Sequence, residues 1–274
     1  MQSPLVSVCM PVYNGARFLE LAIQSVLSQT YSNLELIIHD DASTDGSWEI
    51  ARNIQDPRVI LYRNSCNSGP EANWNSVVSR ARGKYIKLFH QDDILAKNCL
   101  DRQVRVLEDH PASVLAFCRR LIIRADGHRL ATRGCPWGDG PVLGERILNR
   151  CIRFGTNLVG EPSAVLFRAE SARLAGPFDG SIPYLIDLDY WAKLLIHGNG
   201  YYIDEPLVAF RISRSQWSAA IGLRQGKDFN LFLDRLMDGG YPCGSKWAIL
   251  LGRLSAHGNG LLRILVHRFL TGGR

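Results

Sequence analysis

The sequence predicts an α/β fold, in which a mostly parallel sheet is flanked by helices and followed by a basic, helical C-terminal tail. Two observations support this prediction. Short apolar runs alternate with stretches of helical periodicity through the first 120 residues, and this alternation is typical of βαβ units. The 274-residue chain also has an ordinary globular composition, with 46% hydrophobic and 21% charged residues, which excludes a disordered, fibrous or coiled-coil protein.

The first half of the chain contains five predicted strands and four predicted helices in alternation. Apolar residues at helical spacing, such as Leu19 and Ala22, indicate the first helix. Ser43 or Asp45 can cap the second helix, and Pro70 stands where a first-turn proline opens the third. The strands are predicted at 5–10, 34–39, 58–62, 84–89 and 113–118, and the helices at 16–28, 44–54, 70–81 and 98–108.

The second half of the chain is less regular. A loop rich in glycine and proline at 134–144 precedes a predicted helix at 145–154. From about residue 216 onward the pattern is helical. Between these segments we predict an apolar strand at 163–168, a helix at 183–197 that Gly198 ends, and two short strands at 201–204 and 207–210.

Charge is distributed unevenly along the chain. Residues 206–274 hold 10 Lys+Arg and 3 Asp+Glu, whereas residues 1–205 hold 22 and 23. The net charge of +6 therefore comes from the tail, where basic residues are interleaved with leucines. Such a tail suits an anionic membrane surface, most of all within 239–274; packing on the domain is the other interpretation. The nearly neutral body gives no reason to expect nucleic-acid binding.

The spacing of the cysteines and the hydropathy of the chain indicate the cellular compartment in which the protein is expected. The seven cysteines are widely spread and contain no C-x-x-C, so neither a disulfide framework nor a zinc site is expected, and a reducing cytoplasm fits. No apolar run reaches the ~18 residues of a bilayer span, and residues 1–12 lack the features of a signal peptide. We therefore expect a cytoplasmic protein, with the tail as a candidate contact to the inner face of the cell membrane.

Paired aspartates follow two of the predicted strands. Asp40 and Asp41 come after the second strand, and Asp92 and Asp93 after the fourth. Because the carboxyl ends of parallel strands meet at one edge of a sheet, both pairs are expected at the edge where such sheets bind ligands. Converging carboxylates repel one another unless a cation compensates, and Mg²⁺ or Mn²⁺ prefers oxygen ligands. Turn chemistry explains a single pair, but two pairs at equivalent positions favour a site.

The nucleotide motifs of two other enzyme classes are absent from the sequence. Pro11-Val12-Tyr13-Asn14-Gly15 stands where a dinucleotide-binding G-x-G-x-x-G would follow the first strand, and the chain contains no G-x-x-x-x-G-K-[ST]. A dinucleotide-dependent dehydrogenase and a P-loop enzyme are therefore disfavoured.

Several distinctive motifs occur in order along the chain. They are VSVCMPVYN at 6–14, SVLSQTY at 25–31, LELIIHDDASTDGS at 34–47, ARGKYIKLFHQDD at 81–93 and, more weakly, PSAVLFR at 162–168 and DLDYW at 187–191. Together they resemble the motifs of family 2 glycosyltransferases. The resemblance covers roughly residues 4–215 and is most specific in the first half.

The resemblance implies a GT-A fold and an inverting transfer of a sugar from a nucleotide diphosphate. It divides the chain into a GT-A domain at 1–215 and a helical C-terminal extension at 216–274. Within the domain, 1–120 would be the nucleotide-binding half and 121–215 the acceptor half.

The resemblance also assigns roles to individual residues. The family's D-x-D element is here Gln91-Asp92-Asp93, which lacks the first aspartate. Ser213 stands where a histidine often supplies another metal ligand, so a thinner protein shell around the metal is expected. By position, Pro11, Tyr13 and Asn14 would border the nucleoside, Asp41 would accept a hydrogen bond from a pyrimidine N3–H, Asp92 would lie near the ribose and sugar, and Asp93 would hold Mg²⁺ or Mn²⁺.

Two acids on the predicted helix at 183–197 are candidates for the base that activates the acceptor hydroxyl. Asp187 and Asp189 differ by ~200° of helical rotation, so they cannot both face one hydroxyl. Lys193 stands four residues after Asp189, in the favourable order for an ion pair. Asp187 lies in the first turn, where the helix dipole favours a carboxylate, and it aligns with the acid that resembles the family's base. We therefore predict Asp187 as the catalytic base, with helix capping as its alternative role; Glu161 and Asp189 are weaker candidates for acceptor contact.

The function predicted from these observations is sugar transfer from a UDP- or dTDP-sugar to a hydroxyl of a glycan or lipid-linked acceptor, in cell-surface polysaccharide synthesis. Two other functions remain open at this point. A nucleotidyltransferase on a related sheet usually needs a glycine-rich basic loop after the first strand, and Tyr13-Asn14-Gly15-Ala16-Arg17 is a poor version of one. A non-catalytic nucleotide-sugar binding module would lack a base, whereas Asp187 is present.

Overall fold

The computed structural model describes residues 3–212, 224–241 and 245–270, with the backbone alone for 261–270. The strands are β1 Val6–Val12, β2 Leu34–Asp40, β3 Val59–Arg63, β4 Tyr85–Leu88, β5 Ile94–Leu95, β6 Ser113–Arg124, β7 Arg129–Arg133, β8 Gly140–Val142, β9 Val165–Arg168 and β10 Asn199–Ile212. The helices are α1 Ala16–Leu27, α2 Ser47–Arg52, α3 Pro70–Val78, α4 Cys99–Asp109, α5 Gly144–Phe154, α6 Ala169–Ala175, α7 Ile186–Leu195, α8 Gln225–Asp238 and α9 Lys246–Leu270. Short 3₁₀ turns at Pro162–Ala164 and Pro183–Leu185 precede β9 and α7.

The described strands form one mixed sheet, in the order β3-β2-β1-β4-β9-β6-β10-β5, with β7 added to β6 and β8 to β10. The first four strands in that order are parallel, as the sequence predicts. β9 runs antiparallel to both of its neighbours, while β6 and β10 are parallel to each other. The carboxyl ends of β1, β2 and β4 therefore share one edge, with the two aspartate pairs beside it.

Both faces of the sheet are buried. Along β1, Val8 and Met10 belong to one hydrophobic cluster and Cys9 to the other, because side chains alternate between the two faces of a strand. Helices α1 and α4 cover the first face. Helices α3, α5, α7 and α8 cover the second, which is why the apolar strands read as continuous hydrophobic runs.

The structure differs from the predicted elements mainly in the second half. The two strands predicted at 201–204 and 207–210 are one strand, β10, with register shifts on both sides of Pro206. Proline has no N–H to donate to a ladder, so it breaks the pattern without ending the strand. The sequence did not predict β5, β7, β8 or the short helix α6, and the first residues of the strand predicted at 163–168 form a 3₁₀ turn.

The helical tail is confirmed in its described part, and it packs on the domain. A Cβ at Gly252 would lie 2.1 Å from the carbonyl oxygen of Ile152, so α9 approaches α5 at backbone distance. Asn259 Nδ2 donates to the carbonyl oxygen of Phe154 at 2.8 Å. One side of α9 still exposes a row of apolar side chains, namely Trp247, Leu250, Leu251 and Leu254. Among the described helices, none has both the length and the apolar character that crossing a membrane requires.

Candidate active site

The loop after β1 forms the first wall of the site. Pro11 is buried within β1, whereas Tyr13 and Asn14 are exposed beyond its end. Asn14 adopts a φ of 48°, a left-handed conformation that asparagine tolerates better than most residues. Its amide donates to Ser43 Oγ at 3.0 Å, and its Oδ1 accepts from the Thr44 amide at 2.9 Å. The loops after β1 and β2 are therefore joined, which places the predicted nucleoside-binding residues along one rim.

Gln91 fixes the same loop from the other side. The Tyr13 amide donates to Gln91 Oε1 at 2.9 Å, and Gln91 Nε2 donates to the Tyr13 carbonyl oxygen at 3.0 Å. The sequence shows Gln91 only as a departure from D-x-D, so its contact with Tyr13 was missed. Because the side-chain amide pairs with both backbone groups of one residue, it positions the rim of the site.

Asp41 is buried, and it holds the loop between β3 and α3. Its two oxygens accept hydrogen bonds from Asn64 Nδ2, the Ser68 amide and hydroxyl, and the Gly69 amide, at 2.7–3.1 Å. Burial raises the pKa of Asp41, but these hydrogen bonds outweigh it and leave the pKa below its usual range. Asp40 differs, because its carboxylate forms an ion pair with Arg63 at 3.1 Å. Asp41 therefore anchors a loop at the position where the sequence places pyrimidine recognition.

Asp93 lies at the centre of the carboxyl edge and is fully buried. Its Oδ1 accepts from the Arg211 amide at 3.0 Å, and the Ser163 hydroxyl also interacts with the carboxyl group. Its Oδ2 has no hydrogen bond of good geometry with the described residues. Arg211 Nε also donates to the Asp92 carbonyl oxygen at 2.8 Å. Burial, together with the charge of Asp92, raises the pKa of Asp93 well above its usual range. A bound cation would relieve this unfavourable burial.

The donor set at this edge fits a hard divalent cation. The described residues contain no cluster of three histidine, cysteine or acidic side chains that could hold a metal by themselves. Mg²⁺ is commonly held by one or two carboxylates together with substrate phosphates and water, and the unpartnered oxygen of Asp93 meets that requirement. Ser213, which stands at the family's histidine position, lies outside the described residues.

Glu161 connects the two halves of the site electrostatically. It precedes the 3₁₀ turn Pro162–Ala164 and forms an ion pair with Arg120, which is buried on β6. Its charge contributes to the raised pKa of both Asp93 and Asp187. Glu161 therefore lies close enough to both the predicted metal ligand and the predicted base for its charge to act on each.

Asp187 is half-buried at the start of α7. Its Oδ2 accepts from Asn157 Nδ2 at 2.9 Å and its Oδ1 from the Leu188 amide at 2.7 Å. Burial and the negative charge of Glu161 raise the pKa of Asp187 to about 7, although both hydrogen bonds oppose the shift. A carboxylate with a pKa near neutrality is suited to accept a proton at neutral pH.

A short loop holds the carboxylate of Asp187 in place. Asn157 Oδ1 accepts from the Gly160 amide at 2.9 Å, and Trp191 Nε1 donates to the Gly160 carbonyl oxygen at 3.0 Å. Gly160 has a φ of +111°, and a Cβ there would meet the Arg120 guanidinium at 2.9 Å. Sequence reasoning missed Asn157, because no local pattern pairs it with a residue thirty positions away.

Asp189 does not fit the acceptor contact considered for it. It is 3% exposed, and its oxygens lie 3.0 Å from Lys193 Nζ and 2.9 Å from Arg235 Nη1. The ion pair with Lys193 confirms the prediction from helical spacing. Because both oxygens face cations, these contacts favour a structural role for Asp189 over the acceptor contact predicted for it.

Comparison with known proteins identifies the family. Residues 7–172 match the family described as Glycosyl transferase family 2. The chain belongs to this family. Its fold agrees with that assignment, because the sheet and its flanking helices match solved GT-A glycosyltransferases.

Three curated relatives, all from bacteria, show how similar the chain is to other glycosyltransferases. An uncharacterized glycosyltransferase RP339 of Rickettsia prowazekii (strain Madrid E) is 32% identical over 78% of this chain and 66% of its own length. The putative teichuronic acid biosynthesis glycosyltransferase TuaG of Bacillus subtilis (strain 168) is 28% identical over 79% of this chain and 84% of its own length. The UDP-Glc:alpha-D-GlcNAc-diphosphoundecaprenol beta-1,3-glucosyltransferase WfaP of Escherichia coli is 36% identical over 38% and 41%. This family 2 chain spans between half and two thirds of the first curated relatives it matches.

Two solved structures share the fold at low sequence identity. S. aureus TarS 1-349 in complex with UDP-GlcNAc has a TM-score of 0.67 at 15% identity, over 96% of this chain and 72% of that one. Mannosyltransferase PcManGT from Pyrobaculum calidifontis, in complex with GDP-Man and Mn²⁺, has a TM-score of 0.66 at 16% identity, over 98% and 75%. At these identities the likeness shows the fold of this family 2 member alone.

Proposed function

We propose that this protein is an inverting, metal-dependent glycosyltransferase that moves a sugar from a nucleotide diphosphate to an acceptor hydroxyl. The observation that carries the proposal is Asp187, a half-buried carboxylate held by Asn157 with a pKa of about 7. Asp187 accepts the proton of the acceptor hydroxyl as the hydroxyl attacks the sugar. Inversion requires one such base, acting on the face opposite the leaving group, and general-base catalysis typically contributes ~10²–10⁴-fold.

Asp93 would hold the divalent metal, Mg²⁺ or Mn²⁺, through its unpartnered oxygen. When bound, the cation would neutralise the negative charge that develops on the diphosphate leaving group. The Mn²⁺ in the PcManGT complex supports this choice of cofactor. Arg211 holds the backbone of Asp92 and the carboxylate of Asp93 in place, so the metal ligand is positioned before the donor arrives.

The donor is proposed to be a UDP- or dTDP-sugar, bound with its nucleoside along Pro11, Tyr13, Asn14 and Asp41, and with Asp92 near the ribose and sugar. These assignments come from the family resemblance. The placement of all five residues at one edge of the sheet supports them. The UDP-GlcNAc complex of TarS also favours a uridine donor. Because PcManGT was solved with GDP-Man, a preference for a purine nucleotide in a binding test is the outcome that would contradict this choice.

The acceptor is proposed to be a hydroxyl of a glycan or lipid-linked saccharide used in cell-surface polysaccharide synthesis. The names of TuaG and WfaP, which refer to teichuronic acid and a diphosphoundecaprenol-linked sugar, support this class. Glu161 is proposed to border the acceptor side; its ion pair with Arg120 and the effect of its charge on Asp187 support this assignment. Residues 1–215 would form the catalytic domain, with 1–120 for the nucleotide and 121–215 for the acceptor, and 216–274 the extension.

The tail is proposed to rest on the anionic inner face of the cell membrane. The row Trp247, Leu250, Leu251 and Leu254 is exposed, and residues 239–274 contain basic side chains and no acid, a combination suited to an anionic interface. Leu254→Glu should weaken flotation with vesicles of phosphatidylglycerol, whereas Leu174→Glu, at an equally exposed leucine on α6, should not. If both variants float equally with the vesicles, the proposal that this surface binds the membrane is refuted.

Three measurements test the catalytic proposal against the other functions. Release of UDP from UDP-glucose or UDP-N-acetylglucosamine, on mixing with Mn²⁺ and a panel of lipid-linked acceptors, is expected from a transferase. A nucleotidyltransferase would instead release pyrophosphate when it is given UTP and a sugar phosphate. Tight UDP-sugar binding without turnover, unchanged in Asp187→Asn, would indicate a non-catalytic binding module.

A further inference from the structure

The first helix of the C-terminal tail, α8, contacts the segment that carries Asp187. Four of its apolar side chains are buried in the same cluster as Leu185, Ile186 and Leu188. These four are Phe229, Phe232, Leu233 and Leu236. The tail helix is therefore part of the hydrophobic core behind the proposed base, and is not a separate appendage.

Polar contacts from α8 bracket Asp187 along the chain. On one side, Asp228, which is fully buried, accepts a hydrogen bond from the Tyr184 amide at 3.0 Å. On the other side, Arg235 Nη1 lies 2.9 Å from Asp189 Oδ1. The two contacts lie three residues before and two residues after Asp187. The segment that carries the base is thus attached to α8 on both sides of Asp187.

Arg235 also connects three parts of this segment to one another. Its Nη1 lies 3.0 Å from Asp179 Oδ2, and its Nη2 donates to Ser181 Oγ at 2.6 Å, in addition to the contact with Asp189. A planar guanidinium can satisfy several acceptors in a fixed geometry, which a lysine ammonium cannot reproduce. Arg235 therefore fixes the loop before α7 relative to the first turn of α7.

We infer that Arg235 is a positioning residue, through which helix α8 sets the place of Asp187 for the transfer reaction. The inference rests on the proposed function, because it takes Asp187 as the base. Asn157 holds the carboxylate itself at 2.9 Å, whereas Arg235 holds the turn that carries it, so the two contacts together define where the carboxylate lies. Misplacement of a reacting group by about 1 Å can cost ~10²-fold in rate, so a loosened α7 start is expected to affect turnover before it affects donor binding.

The test compares two substitutions at cations that share one carboxylate. Arg235→Met keeps the apolar stem and removes all three contacts. Lys193→Met removes the contact from within α7 to Asp189 and a 3.5 Å hydrogen bond to the Pro177 carbonyl oxygen, and it leaves the contacts of Arg235 in place. We expect Arg235→Met to lower kcat for UDP release from UDP-glucose, with Mn²⁺ and water as acceptor, by about tenfold or more. Lys193→Met should stay within about threefold of the unaltered chain, and Arg235→Lys should lie in between.

Two further readouts separate positioning from general damage. The affinity for UDP and the hydrogen exchange of β1 should be unchanged in Arg235→Met, while the amides of 179–189 exchange faster. Unchanged exchange of 179–189 would overturn the inference, whatever donor the protein uses, and so would equal losses of kcat in the two methionine variants. Should Arg235→Met fail to fold, Ser181→Ala, which removes one contact, is expected to give the same pattern in weaker form, and its absence would count against the inference.

If the proposed function is wrong, the variants will behave differently from the case in which only the role of Arg235 is wrong. If Asp187→Asn keeps its turnover, Asp187 is not the base, and the proposed mechanism is wrong even where Arg235→Met loosens the segment. If Asp187→Asn loses turnover and Arg235→Met does not, the mechanism stands and the positioning role of Arg235 is refuted.

Discussion

Asn157 Nδ2 donates a hydrogen bond to Asp187 Oδ2 at 2.9 Å, from a loop thirty residues earlier in the chain. This contact opposes the effects of burial and of Glu161, which together raise the pKa of Asp187 to about 7. The balance keeps the group close to neutrality, where a carboxylate can be ionised before reaction and protonated after it. The proposed base is therefore tuned by its contacts, and each contact can be changed separately.

Replacing Asp187 should remove both the catalysis and its pH dependence. Because a base must be deprotonated to act, kcat is expected to rise with pH through about 7 in the unaltered chain. Asp187→Asn should lower kcat by at least ~10² and flatten that rise, while UDP affinity is kept. Asp189→Asn, which disturbs the buried ion pairs with Lys193 and Arg235, should chiefly lower the thermal midpoint. A larger loss of kcat in Asp189→Asn, with both proteins folded, would move the assignment of the base.

The raised pKa of Asp187 also predicts that the stability of the folded chain depends on pH. The folded-state pKa of Asp187, about 7, lies above the ordinary value of 3.8, so the folded state favours the protonated form. The contribution of this group to stability is therefore fully present below pH 4 and is lost as pH rises towards 7. Asp187→Asn should gain thermal stability over the unaltered chain across that interval, as measured by thermal unfolding at pH 5 and pH 8. A constant difference between the two proteins at both pH values would contradict the raised pKa.

Removing the donor to Asp187 should move the pH profile in a defined direction. Asn157→Ala deletes a hydrogen bond that lowers the pKa of Asp187, so the rising limb of kcat should shift to higher pH. Asn149→Ala is a matched control, because the Asn149 side chain donates its hydrogen bond to Glu145 on the same helix, α5. A profile that stays in place in Asn157→Ala would show that the contact does not tune the base.

The sequence predicts the first half of the fold better than the second, for a physical reason. Through β4 each strand and helix is specified by local apolar periodicity, and the aspartates follow the strands directly. In the second half, β10 contains Pro206, which interrupts the alternation without ending the strand. The short strands β5 and β8 exist only because each pairs with β10. Their pairing partners are distant in sequence, so no local pattern indicates them.

The sequence likewise predicts only part of the candidate site, namely the contacts between residues close together in the chain. Helical spacing alone separates Asp187 from Asp189, and the structure confirms the ion pair of Asp189 with Lys193. The contact of Asp189 with Arg235 spans forty-six residues and depends on how α8 packs. Such contacts follow from tertiary packing of apolar faces, which a single sequence does not specify.

Removing the carboxylate of Asp93 should abolish metal binding. Its Oδ2 is buried without a hydrogen bond of good geometry from the described residues, and ionised carboxylates bind divalent cations. We expect Asp93→Ala to lose Mn²⁺-dependent UDP binding, measured by calorimetry with and without the metal, and to lose transfer. Asp101→Ala, at an exposed acid in the first turn of α4, should keep both. Full transfer by the unaltered chain in EDTA would refute the metal dependence.

Asp41 should contribute to donor binding in two ways, through the loop that it anchors and through the nucleoside. Asp41→Ala is expected to weaken UDP binding by about 1–3 kcal/mol, the usual cost of losing hydrogen bonds to a charged group. Ser68→Ala removes the hydroxyl contact to Asp41 but keeps the carboxylate, so it reports on the loop alone and should cost less. Equal affinity of the unaltered chain for GDP and UDP would contradict pyrimidine recognition by Asp41.

The contact between Gln91 and Tyr13 can be tested by a steric conflict at Gly15. A Cβ at Gly15 would lie 2.2 Å from Gln91 Oε1, so Gly15→Ala must displace the Gln91 side chain and break both hydrogen bonds to Tyr13. We expect Gly15→Ala to weaken UDP binding, and Gln91→Ala to weaken it by a similar amount, because each releases the rim of the site. The double variant should lose no more UDP affinity than either single variant, since the steric conflict and the hydrogen bonds to Tyr13 involve the same Gln91 side chain. Gly258→Ala, where a Cβ meets nothing within 4 Å, should leave UDP binding unchanged. Additive losses in the double variant, measured by calorimetry, would show that Gly15 and Gln91 act on the donor independently.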